Sequence, residues 1–212
     1  MPPTSSFLAF ALVAVVVVAI PGPSVLFTIS RALTMGRRVA LLNVAGNAVG
    51  VYAQVVAVAF GVGALVERSV FAFTVVKYLG AAYVVYLGVQ AIRHRRSIAH
   101  ALGKRGTSVS ARRALRDGMI VGATNPKTIV IFVTLLPSFA EPARGNVPLQ
   151  LLAVGALFPV IAVLLDSVWA TAAGALRNWL TRSLRRLAAI GGTGGLVMIG
   201  VGISLAATGR KD

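Results

Sequence analysis

The sequence predicts an all-α integral membrane protein: six transmembrane helices arranged as two inverted three-helix repeats, with helices 1 and 4 broken. Three observations lead there. Apolar residues make up 57% of the chain and charged residues 12%, against about 25% charged in an ordinary soluble domain. Positive charge is concentrated in alternate connections between the apolar runs. Proline-containing breaks, PGP and NPK, interrupt the first apolar run of each half.

The expected spans are 6–30, 39–63, 69–91, 118–139, 147–176 and 187–207, each long enough to cross a hydrocarbon core of about 30 Å. In the first, sixteen of the twenty residues from Phe7 to Leu26 are apolar, yet Pro21, Gly22 and Pro23 fall inside it. MPPTSS brings no basic residue ahead of that run, so it reads as a retained helix and not a cleaved signal peptide. Gly46 and Gly50, Gly118 and Gly122, and Gly191 and Gly195 are each four apart, a spacing that lets membrane helices pack closely. Lys77, in the third span, is near enough to its end to snorkel. The fifth span carries Asp166, the one acid of five placed within a span.

Charge sets the topology. Residues 31–38 hold three basic side chains, 93–117 hold eight and 177–186 hold four, fifteen of the 21 in the chain. The intervening connections carry Arg68 and Arg144, each near a glutamate. Lysine and arginine mark the cytoplasmic side, so both termini are expected outside and the basic loops inside. The net charge of +16 is thus a topology signal, and no nucleic-acid partner is expected. With no cysteine, disulfides and thiolate metal sites are excluded.

The basic loop 93–117 divides the chain into a first repeat, 1–92, and a second, 118–212. Three helices is an odd number, so the second half enters the membrane from the opposite side, as inverted repeats do. PGPSVLFTI and NPKTIVIFV echo one another at matching places, Pro23 against Pro126.

Irregular backbone at membrane depth is tolerated where it is buried in protein or lines a cavity. Gly22 with Pro23, and Asn125 with Pro126, are well-formed helix starts. Two half-helix N-termini would then face into the bundle, offering amides and positive dipole ends to a carboxylate. Counted from expected cytoplasmic ends at 30, 39 and 118, Pro23, Asn47 and Asn125 lie about 10–12 Å deep, and Asp166 about 15 Å. A carboxyl at that depth is a functional candidate by default. Lys127 either attracts a substrate carboxylate or holds Asp166 ionised, and the sequence does not separate the two.

AIPGPSVLFTISRALTMGRRVALLNVAGNAVG, KYLGAAYVVYLG and GATNPKTIVIFVTLLPSF, in that order over about residues 15–140, resemble the LysE/RhtB family of small amino-acid exporters. The resemblance implies a six-helix inner-membrane protein that exports amino acids or related metabolites using the proton gradient. Family members often carry an acidic or amide residue after PGP, where this chain has Ser24.

The expected function is secondary active efflux of amino acids or similar small zwitterions, with the proton as coupling ion. The expected substrate-binding residues are Pro21, Gly22, Pro23, Ser24, Asn47, Asn125, Pro126, Lys127 and Asp166, with Asp166 also carrying the proton. One membrane-depth anion matches one ammonium, so neutral amino acids are favoured over lysine and arginine. No catalytic residues, cofactor or metal are expected, because His94 and His100 both lie in the basic loop. Lipid is a partner by necessity, and a homodimer is left open. The alternatives are an intramembrane enzyme and a passive channel or lipid scramblase.

Overall fold

The computed structural model describes residues 2–20, 22–62 and 109–176 continuously, with separate residues between 78 and 93 and between 179 and 203. Pro21, Lys77, the Gly191–Gly195 pair and most of the third and sixth expected spans lie outside the described residues. Regular structure among the described residues is helical throughout.

Helix α1, Thr4–Ala19, is apolar all round but still two-faced. Phe10, Ala14 and Val18, four apart, are buried, while Leu8, Leu12 and Val16 face outward. Helix α2, Pro23–Met35, leaves it at an angle of 51°. It continues five residues past the expected end at 30. Arg31 explains why a basic residue stays helical here. Its guanidinium lies 4.7 Å over the Phe27 ring, donates to the Met35 sulfur and pairs with Asp117 at 3.1 Å. Gly36 then makes a one-residue turn at φ 95°, a conformation open to glycine at little cost. Helix α3, Arg37–Ala57, follows and runs on through a wider turn at Val58–Val62.

Helix α4, Ala111–Ala123, starts seven residues before the expected boundary at 118. The Ser110 hydroxyl caps it by accepting from the Arg113 amide at 3.3 Å. Arginines read as loop residues are good helix formers, and Arg112, Arg113 and Arg116 lie within the helix. Helix α5, Pro126–Thr134, follows the second break. Short turns at Leu136–Phe139 and Pro142–Arg144 lead to α6, Val147–Gly155, and α7, Leu157–Ala175. The interruption at Ala156 was not expected from the sequence. Pro159 lacks the amide that would bond the Gly155 carbonyl, and the helix is disturbed one turn before it. Arg37–Gly61 and Val147–Ala175 are each long and apolar enough to cross a membrane.

Glycines join the two halves. A Cβ on Gly46 would lie 2.0 Å from the Leu115 carbonyl oxygen, and one on Gly50 2.1 Å from that of Met119. Reciprocally, a Cβ on Gly118 or Gly122 would strike the carbonyls of Asn43 and Asn47. The backbones of α3 and α4 therefore touch, which is the packing role expected of these pairs.

Two apolar clusters form the interior. One joins Phe10, Val55, Phe132, Leu136 and Phe158, with the Phe132 and Phe158 rings edge-to-face at 5.0 Å. The other joins Val25, Ile29, Leu33, Ala40, Ala170 and Ala173. Arg31 reaches Asp117, and the Arg37 stem packs on Gly174, so the basic segments meet at one end of the bundle.

Candidate functional site

The carbonyls in the last turn of a helix have no partners of their own, and at membrane depth water does not supply them. At the end of α1 they are met by Lys127 from α5. Its Nζ donates to the Val17 carbonyl and to the Ile20 carbonyl, the latter at 2.7 Å. Gly22 makes room for this reach, since a Cβ there would sit 3.2 Å from Lys127 Cδ. Gly22 is also the extended cap residue of α2 and brings no side chain to its first turn, which begins with Pro23. The leading amides of that turn keep their capacity to donate to a ligand.

The second break is held differently. Gln54 of α3 donates from Nε2 to the Gly122 carbonyl at 2.7 Å and to the Ala123 carbonyl at 3.0 Å, closing the end of α4. Asn125 begins α5, its Oδ1 accepting from the Lys127 amide at 3.2 Å. Its Nδ2 donates to Ser24 Oγ at 2.8 Å, across 101 residues of sequence. Thr128 closes the turn by donating from its hydroxyl to the Asn125 carbonyl at 3.0 Å. The two half-helix starts are thus tied to one another.

Between them lies a buried cavity of about 30 Å³. Gly22, Ser24, Asn47, Asn125, Lys127 and Asp166 line its polar side, all from the expected site. Val18, Val25, Val51, Phe158 and Ala162 line the apolar side, drawn from both interior clusters. That volume suits water. Asp166 is 2% exposed and Asn47 5%. The Asp166 Oδ1 and Asn47 Oδ1 atoms are buried without a hydrogen-bond partner. A buried acceptor left unpaired is costly, and two around one cavity mark a place built for a donor. Asp166 and Lys127 line the same cavity but are not in ion-pair contact; the ion pairs among the described residues are Arg31–Asp117, Arg116–Asp117 and Arg144–Glu141.

Six of the nine expected site residues therefore converge. Pro23 and Pro126 act one step back, as first residues of α2 and α5. Pro21 lies outside the described residues. The expected helix ends need correction, because α2 ends at Met35, α3 starts at Arg37 and α4 starts at Ala111. Pro23, Asn47 and Asn125 are then about 15–21 Å from the basic ends of their helices. Sequence reasoning missed Gln54 and Thr128. A glutamine nine residues from the end of an apolar span was a signal of the same kind as Asn47, and Thr128 stood in the NPKT string.

The LysE type translocator profile matches residues 15–209. The chain belongs to the LysE type translocator family. It is 32% identical over 161 residues to a homoserine/homoserine lactone efflux protein of Salmonella typhimurium, covering 76% of each chain. It is 27% identical over 205 residues to a leucine efflux protein of Enterobacter, covering 95% of each. A membrane protein of Vibrio cholerae shares 36% identity over 179 residues, 84% of each chain. No solved structure matches the translocator.

Proposed function

We propose that this translocator is a secondary active exporter of neutral amino acids or similar small zwitterions across the cytoplasmic membrane, with the proton as coupling ion. One observation carries the reading: two half-helix starts, tied by Asn125 and Ser24, share a cavity with the unpartnered oxygens of Asn47 and Asp166. Amides at a helix start suit a carboxylate, and two buried acceptors suit an ammonium. The apolar wall of Val18, Val25, Val51 and Phe158 leaves a cationic side chain without a partner, which disfavours lysine and arginine. The names of the relatives, as efflux proteins, support transport over catalysis.

In this reading the ionised Asp166 holds the substrate ammonium on the inward-facing side. Protonation from outside displaces the substrate, and the neutral carboxyl returns with its proton. A zwitterion and a proton thereby exchange. The basic end of the bundle faces the cytoplasm and both termini face outside, by the charge rule.

Purified protein in proteoliposomes tests this. Labelled leucine should enter by counterflow against leucine, a property of a carrier and not of a pore. Asp166→Asn should fold yet lose uptake driven by a pH gradient. An Asn variant coupled as well as wild type removes Asp166 from the coupling role; lysine transported faster than leucine defeats the assigned substrate class.

A further inference from the structure

At the basic end, α3 and α4 leave an outward-facing groove of about 740 Å³ where their glycines bring the backbones together. Arg112, Arg113 and Arg116 stand at one end of it, and Val49, Leu115 and Met119 form its apolar walls. No acid lines it. Gly46 lowers the floor, because its backbone lies against that of Leu115 with no side chain between.

The groove has a direction. Counting back from the break at Asn125 at 1.5 Å per residue, Met119 is about 9 Å away, Arg116 about 14 Å and Arg112 about 20 Å. With the break near mid-membrane and a hydrocarbon half-thickness of about 15 Å, Met119 lies at acyl-chain depth, Leu115 and Arg116 at the edge of the hydrocarbon, and Arg112 and Arg113 at headgroup depth. The walls are open to the surroundings: Val49 is 59% exposed and Met119 42%. Arg116 is exposed, and its contact with Asp117 is a loose one at 3.8 Å, Asp117 being held more closely by Arg31. The guanidiniums keep most of their donors for an outside ligand.

We propose that this groove is a binding site for an anionic phospholipid, its phosphate against Arg112, Arg113 and Arg116 and one acyl chain along the floor at Gly46. Charge complementarity sets the headgroup class, since a zwitterionic choline headgroup would bring a cation to three guanidiniums. Basic recesses between transmembrane helices take anionic headgroups on the same physics. The lipid would brace α4 against α3 from outside, on the helix that leads to Asn125.

Native mass spectrometry of the detergent-purified full chain, titrated with phosphatidylglycerol, phosphatidylcholine or inorganic phosphate, reads the site. Phosphatidylglycerol should be retained over phosphatidylcholine. The triple variant Arg112→Gln/Arg113→Gln/Arg116→Gln should lower its affinity on the order of a hundredfold, each basic residue contributing a similar factor. Arg37→Gln/Arg38→Gln, which removes charge at the same end outside the groove, should lower it far less. Should the triple variant fail to fold, the three single variants are measured, and each should weaken retention by about fivefold. Equal retention of both lipids, or equal losses in the groove and control variants, overturns the site. Displacement of the lipid by millimolar inorganic phosphate shows a bare anion site and overturns the lipid assignment.

Discussion

The two helix breaks answer one problem with different chemistry. At the end of α1 the released carbonyls of Val17 and Ile20 are held by an ammonium, Lys127, which shares the cavity with Asp166. At the end of α4 the carbonyls of Gly122 and Ala123 are held by a neutral amide, Gln54, fixed on a helix whose backbone already touches α4. A change of charge in the cavity acts directly on the first closure and barely on the second. The α1/α2 break is therefore the adjustable one, and the α4/α5 break is scaffold. The first also lacks a side-chain cap on its new helix, whereas Asn125 caps the second.

The largest effect expected from this contrast is at Lys127. Lys127→Met keeps the stem that lies over Gly22 but removes both hydrogen bonds, leaving two buried carbonyls unpaired at about 1–3 kcal/mol each. Counterflow should fall by about a hundredfold or more, the loss of about 3 kcal/mol or more at the site. The melting temperature should fall with it. Unchanged melting together with lost transport would assign Lys127 to the substrate alone and end its role as a closure.

The prolines sharpen the comparison at a middle scale. Pro23→Ala permits the 51° break to straighten across a site whose α1 end Lys127 holds. Pro126→Ala leaves Asn125 capping α5 and Gln54 closing α4, so that break persists. Transport per folded molecule should therefore drop about tenfold or more in the first variant and only a few-fold in the second. Equal losses would make the two breaks equivalent and remove the distinction between an adjustable and a fixed one.

The contrast was half legible in the sequence. PGP and NPK announced both breaks, because proline and a capping asparagine act locally and at fixed positions. Asp166 and Asn47 were legible as polar groups where polarity is costly. The closures were not, since Lys127 finds Val17 and Gln54 finds Gly122 only through tertiary packing. Helix ends were misjudged for a related reason. Arg31 and Arg112 look like loop residues by charge, yet an ion pair with Asp117 and a serine cap keep their segments helical.

The smallest effect is expected at Ser24, and it tests whether the breaks communicate. Ser24→Ala removes one acceptor, leaving Asn125 Nδ2 without its bond, for a loss of about 1 kcal/mol. Taken alone it should slow counterflow by about fivefold. The informative measurement is a double-mutant cycle with Gln54→Leu, which loosens the end of α4. If the Asn125–Ser24 bond transmits position from the scaffold break to the adjustable one, losing Gln54 displaces Asn125 and already weakens that bond. Adding Ser24→Ala then costs less than it does in wild type, with a coupling of about 0.5 kcal/mol or more. Strictly additive losses, in both melting and counterflow, would mean that each break keeps its geometry alone. The serine would then be one more polar group on the cavity wall.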